Sequence, residues 1–219
     1  MIFSGLDLGQ SKDSTALACV DRIAVTPPIP KRRWRYEVKW LQAWELGTRY
    51  TKIAEDVGKL YQTPQLRGTC LVPDFTGVGR PVVDQLRASR VQARLVPVLT
   101  TGGKLVHEDT ANACWNVPKQ HLVSNLQVLL QAELVKWSAK LPLAVRLEKE
   151  LADFRVTITR ARNETFGAEA SQHDDLMFAL MLALWMGERD GGGLTDGIGT
   201  ASGDDRVLAA TAPPGVFAK

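Results

Sequence analysis

Residues 5–21 read GLDLGQSKDSTALACVD, and this stretch decides the fold. Ile2, Phe3 and Leu6 mark a buried strand over residues 2–8, and residues 15–20 mark a second. The short polar link 9–14 suits antiparallel neighbours. Asp7 stands near the end of the first strand, at a core edge where desolvation raises the pKa of a carboxylate. A charge in such a place is costly unless it meets a cation.

The same arrangement recurs further along the chain. Residues 68–72 form another apolar strand closing on Asp74, and Gly77 and Gly79 allow a tight turn into a helix over 78–89. Parallel neighbouring strands lie about 4.8 Å apart, so two such strand ends bring both carboxylates within reach of one ion. Asp174 and Asp175 open a third element, a helix over 174–188 whose LMFALMLALW is apolar nearly all round and therefore packs deep against the sheet. Ala179 and Ala183, four apart, permit close approach. Taken alone, Asp174 also reads as a helix N-cap. Two carboxylates about 4 Å apart repel by roughly 4 kcal/mol at an effective dielectric of about 20, and bound cations or protonation relieve that. Asp7, Asp74, Asp174 and Asp175 are therefore the candidate catalytic and metal-ligating residues. An all-oxygen set suits Mg²⁺ or Mn²⁺, and the few histidines and cysteines show no zinc spacing. Two divalent cations about 3.5–4 Å apart would activate water and stabilise the leaving 3′ oxygen of a phosphodiester.

Around these motifs the pattern is α/β. A third strand is expected over 35–46 after the turn-rich TPPIPKRR, then an amphipathic helix over 50–61 carrying Ile53, Val57 and Leu60 on one face. A strand over 91–99 follows the helix at 78–89, which predicts parallel crossovers. Helices are expected over 117–131 and 143–154, and a short hairpin over 155–160 and 164–168. Residues 1–188 read as one domain, and the Gly-rich stretch 189–219 as a flexible tail. The 219 residues with 45% hydrophobic content suffice for one full core but not for a second catalytic domain. Cys19, Cys70 and Cys114 sit singly in apolar surroundings and read as buried thiols of a reducing compartment. The longest apolar run, 176–186, is about half of what a bilayer requires, which argues for a cytoplasmic protein without membrane contact. A formal charge of +3 permits nucleic-acid binding without establishing it.

Six segments in order carry a resemblance: GLDLGQSKDSTAL, LGTRYTKIAEDV, PDFTGVGRPVVDQL, VPKQHLVSNLQVLLQAELVKW, LEKELADFRVTIT and HDDLMFALMLALW. Together, over roughly residues 2–187, they resemble the nuclease domain of the large terminase subunit of tailed bacteriophages, in the ribonuclease H-like superfamily. The resemblance implies a mixed sheet of five or slightly more strands flanked by helices, with the first three strands antiparallel and two further ones parallel. It also carries the metal role onto Asp7, Asp74 and the Asp174/Asp175 pair, with the main ligand of that pair left open. The implied activity is metal-dependent endonucleolytic cutting of concatemeric viral DNA during packaging. The implied partners are double-stranded DNA and a terminase ATPase motor, small subunit or portal, in the cytoplasm of a bacterial host. A complete large subunit also carries a motor with a GxxxxGK[ST] phosphate loop, and this sequence contains none. Other readings are a junction resolvase of the same superfamily and, because GLDLGQSKDSTAL also resembles the first phosphate loop of that class, an actin-like nucleotide-binding protein.

Several cations are candidates for contact with DNA phosphates. Lys31, Arg32 and Arg33 stand at a hairpin tip beside Trp34, Lys104 follows a glycine pair, and Lys119 resembles the family's lysine ahead of the corresponding helix. Each reads equally as a solvated surface charge. His173 is a candidate supporting residue for Asp174, or else a capping residue. Arg146, Arg155, Arg160 and Arg162 are candidates for a basic rim.

Overall fold

The computed structural model describes residues 1–9, 13–29, 32–158, 164–167 and 174–190. Its central strand is β1 (Ile2–Asp7), antiparallel to β2 (Ala16–Ile29) on one side and parallel to β4 (Cys70–Pro73) on the other. Beyond β2 lies antiparallel β3 (Arg32–Ala43), edged by the two-residue parallel β9 (Val135–Lys136), and beyond β4 lies parallel β5 (Arg94–Leu95). The main sheet thus has six strands in the order β5-β4-β1-β2-β3-β9. This is the mixed α/β architecture expected, enlarged by one short edge strand.

Alternation along β1 assigns the two faces. Phe3 belongs to the core formed with α5 (Asp175–Asp190), while Leu6 belongs to the core formed with α1 (Tyr50–Leu60) and α2 (Gly79–Ala88). The side-chain period of two therefore directs Gly5 and Asp7 to the α5 face. On β4 the same rule places Cys70 and Val72 with α5 and Leu71 opposite, so Asp74 continues toward α5. Helices α3 (Lys119–Gln131) and α4 (Ala144–Asp153) complete the α5 layer through Leu122, Leu126 and Leu147.

Helix α5 is buried almost throughout, as its all-round apolar pattern requires. Gly5 makes its close docking possible. A methyl group at Gly5 would stand 1.9 Å from the Ala179 carbonyl oxygen and 2.9 Å from the Ala183 nitrogen, so the helix backbone lies directly on β1. The small residues foreseen on α5 are only half of that contact.

Two expectations need correction. The strand expected over 91–99 is split at Pro97, which has no N–H to continue the ladder with β4. The chain after it, β6 (Val98–Thr101), joins a second sheet with β7 (His107–Asp109) and β8 (Cys114–Pro118), in the order β6-β8-β7. The segment TPPIPKRR is not simply a link, because β2 runs to Ile29 and β3 starts at Arg32. Pairing jumps from Ala24↔Trp34 to Ile29↔Arg32, and Pro27 and Pro28 fall within that irregularity, where no ladder donor is required. The expected hairpin is present as β10 (Arg155–Ile158) and β11 (Glu164–Gly167). Helix α5 continues to Asp190, and the tail expected beyond it lies outside the described residues from position 191 onward.

Candidate acidic active site

Asp7 and Asp74 occupy corresponding ends of adjacent parallel strands. Register runs Phe3↔Cys70 through Leu6↔Pro73, and the next pair along it is Asp7 and Asp74. The Asp74 N–H donates to the Leu6 carbonyl at 2.8 Å, extending the ladder to this point. Burial, and then the negative charges of Asp74, Asp175 and Asp174, push the Asp7 carboxyl well above the usual carboxylate range, while Lys119 opposes the rise. The other three aspartates predicted from sequence therefore each lie within electrostatic reach of Asp7.

Asp74 is held by its own turn. Its Oδ1 accepts from the Thr76 hydroxyl at 2.7 Å and from the Thr76 N–H at 3.0 Å. The Thr76 hydroxyl oxygen accepts in turn from the Thr100 N–H at 3.1 Å, tying β6 to the site. Burial raises the pKa of Asp74, and the Thr76 contacts, then Lys119, hold it back. Helix α2 starts immediately above: a methyl group at Gly79 would stand 2.1 Å from the Asp74 carbonyl oxygen, so the turn closes only with glycine there.

The acidic pair is divided by its surroundings. Asp174 is half-buried just ahead of α5, and its carbonyl oxygen accepts the helix hydrogen bond from Phe178 N–H at 2.8 Å. Asp175 is buried, and its Oδ2 accepts from Arg146 Nη2 at 2.8 Å and from the Ser14 hydroxyl. Arg146 also donates from Nε to Glu150 Oε1 at 2.8 Å, and Glu150 Oε2 accepts the Met177 N–H at 2.9 Å. Glu150 thus caps the first turn of α5 from a neighbouring helix. Burial raises the pKa of Glu150 against the lowering effect of Met177 and Arg146.

Among the described residues, no three acidic, histidine or thiol side chains already stand as a group able to hold a metal ion. Asp175 is bonded to Arg146 and Ser14, and Asp74 to Thr76.

Of the basic residues, Lys119 is at the start of α3, with Nζ 5.5 Å from the Phe178 ring centroid and its charge felt by Asp7 and Asp74. Lys104 is exposed on the loop between β6 and β7. Lys31 and His173 lie outside the described residues, as do Arg160, Arg162 and the side chains of Arg32, Arg33 and Arg155. Sequence reading passed over Ser14, Thr76 and Glu150. Thr76 had a signal in the Asp-x-Thr spacing of an Asx turn, and Glu150 in its i,i+4 relation to Arg146.

Among solved structures, the chain superposes on the large terminase nuclease from thermophilic phage G20c with a TM-score of 0.57 and 21% identity, covering 84% of this chain and 80% of that one. The fold is that of the large terminase nuclease domain. The terminase nuclease of bacteriophage SPP1, solved with bound Mn, is similar with a TM-score of 0.52 at 13% identity, over 86% of each chain. The G20c terminase nuclease has also been solved with bound magnesium. In sequence the chain is 26% identical over 182 residues to the terminase large subunit of Thermus phage G20c. That alignment takes in 83% of this chain and 28% of the relative, so the chain spans less than a third of the curated protein it matches. A terminase large subunit of Thermus virus P23-45 matches to the same extent. No protein-family model matches the chain.

Proposed function

We propose that this chain is a divalent-metal-dependent DNA endonuclease, the cutting domain of a phage packaging terminase. The observation that carries the reading is the crowding of Asp7 by Asp74, Asp175 and Asp174 at the sheet end of a terminase nuclease fold. Buried like charges of this kind call for a compensating cation, and their oxygen donors fit hard Mg²⁺ or Mn²⁺.

Asp7, Asp74, Asp174 and Asp175 would hold the ions, two in number, as in phosphodiester hydrolysis assisted by a metal pair. When bound, such ions lower the pKa of water and offset charge on the leaving oxygen. The protein's own contribution is positional. The parallel register of β1 and β4 sets Asp7 beside Asp74, Thr76 fixes the Asp74 rotamer, and Glu150 fixes the start of α5. Lys119 supplies a positive charge on the same side for a DNA phosphate. Contacts to phosphates carry no sequence information directly, so cutting of double-stranded DNA depends little on sequence. Association with an ATPase motor, a small subunit and a portal belongs to the same reading.

The test is plasmid nicking in Mn²⁺. The parent nicks and linearises supercoiled DNA, and Asp7→Asn, folded by circular dichroism, does not. Undiminished cutting by Asp7→Asn would sink the assignment.

A further inference from the structure

Arg146 is in direct contact with Asp175, and its placement is unusual for a rim residue. Its guanidinium bridges three elements: Nε holds Glu150 on α4 at 2.8 Å, while Nη2 holds Asp175 on α5 at 2.8 Å and the Ser14 hydroxyl, just ahead of β2, at 3.1 Å. Glu150 is itself committed to the Met177 N–H, so the arginine is anchored on a buried carboxylate that cannot follow it outward. Ser14 belongs to the connection leaving β1, the strand that carries Asp7. One planar fork therefore ties the start of α5 to the β1–β2 connection.

We propose that Arg146 is a positioning residue for the acidic site, acting as a resident cation that holds Asp175 in place while competing with a divalent ion for its carboxylate. The inference rests on the nuclease reading above. Two opposed effects follow from the geometry. A fixed positive charge in contact with a prospective ligand repels an incoming divalent cation, so it weakens metal binding. The same guanidinium fixes the carboxylate against two other elements, and displacement of a reacting constellation by about 1 Å can cost on the order of a hundredfold in rate. Arg146 thus trades metal affinity for geometry. A residue serving only to stabilise α4 against α5 would have no such split effect.

The test measures Mn²⁺ binding by titration calorimetry alongside nicking, with Arg146→Gln, Arg146→Lys and Asp7→Asn in the full chain. Arg146→Gln should bind Mn²⁺ more tightly, by about threefold or more, yet nick at least about tenfold more slowly. Arg146→Lys keeps the charge but not the fork, so its Mn²⁺ affinity should stay near that of the parent while nicking falls. Weaker Mn²⁺ binding by Arg146→Gln in proportion to its lost cutting, or no change in either quantity, would overturn the assignment. If Arg146→Gln does not fold, Arg146→Lys decides: parental nicking by that variant overturns the proposal. Asp7→Asn separates the two levels. Continued cutting by Asp7→Asn removes the nuclease reading itself, whereas inactive Asp7→Asn beside an unaltered Arg146→Gln removes only the role of the arginine.

Discussion

The Asp74 N–H reaches the Leu6 carbonyl at 2.8 Å, carrying the parallel ladder of β1 and β4 up to Asp7 and Asp74. Because side chains alternate along a strand, that one hydrogen bond commits both carboxylates to the same face, beneath the start of α5. Electrostatic cost is thereby built into the metal-free protein.

Asp7 should show this cost as a pH dependence of stability. Its folded pKa is raised by burial and by three like charges. Below the unfolded value of about 3.9 the group is protonated in both states. As pH rises from there toward the folded value, the unfolded chain ionises first, and stability is lost across that window. Asp7→Asn removes the loss. In the presence of a chelator its Tm at pH 7 should exceed the parent's, with the gap closing below about pH 4. Equal Tm values at pH 7 would count against a strained Asp7. For the parent, Mn²⁺ affinity should rise with pH over the same window, because binding displaces the proton.

Gly5→Ala is expected to be among the most destabilising single-methyl changes in the chain. The added carbon would meet the Ala179 carbonyl at 1.9 Å, and neither β1 nor the buried α5 has room to yield. Overpacking of this kind costs about 1–3 kcal/mol or more, read as a lower urea midpoint. Gly58→Ala, with open space at the position on α1, is the control and should be neutral or stabilising.

The contrast between Gly5 and the aspartates shows what was legible beforehand. Asp7, Asp74 and the Asp174/Asp175 pair were visible because a charge interrupts or closes an apolar run, and α1, α2 and α5 because their apolar spacing is long and regular. The split at Pro97 and the two-residue strands β5 and β9 were not, since pairing that short is decided by tertiary neighbours rather than by pattern. Arg146 could be named as a rim candidate and its i,i+4 pairing with Glu150 is local, but the Met177 N–H that holds Glu150 belongs to a helix that starts more than twenty residues later. No local period records such a contact.

The three cysteines should be inert to thiol reagents in the native state. All are buried, with the thiol of Cys19 pushed up to about 12 and that of Cys70 to about 11, chiefly by burial, and that of Cys114 also raised. Since the thiolate is the nucleophile, titration with a disulfide reagent at pH 8 should find no rapidly reacting thiol until denaturant is added, and then all three. Fast native labelling of Cys19 would contradict the packing of β2 against α1.

Glu150→Ala tests the support of the site rather than its ligands. The change leaves the Met177 N–H without its acceptor in a buried place and releases Arg146 from its anchor beside Asp175. An orphaned buried donor costs about 1–3 kcal/mol, and loss of a buried carboxylate partner for the arginine adds to it, so a total of roughly 2–4 kcal/mol is expected from urea unfolding. Nicking in Mn²⁺ should fall under conditions where the variant is still fully folded, because the start of α5 carries Asp174 and Asp175. Asp84→Ala is the comparison: its carboxylate is exposed and pairs with Arg87 at 3.4 Å, so it should change stability by less than about 0.5 kcal/mol and leave nicking unaltered. Matching effects from the two substitutions would mean that Glu150 contributes nothing beyond surface charge.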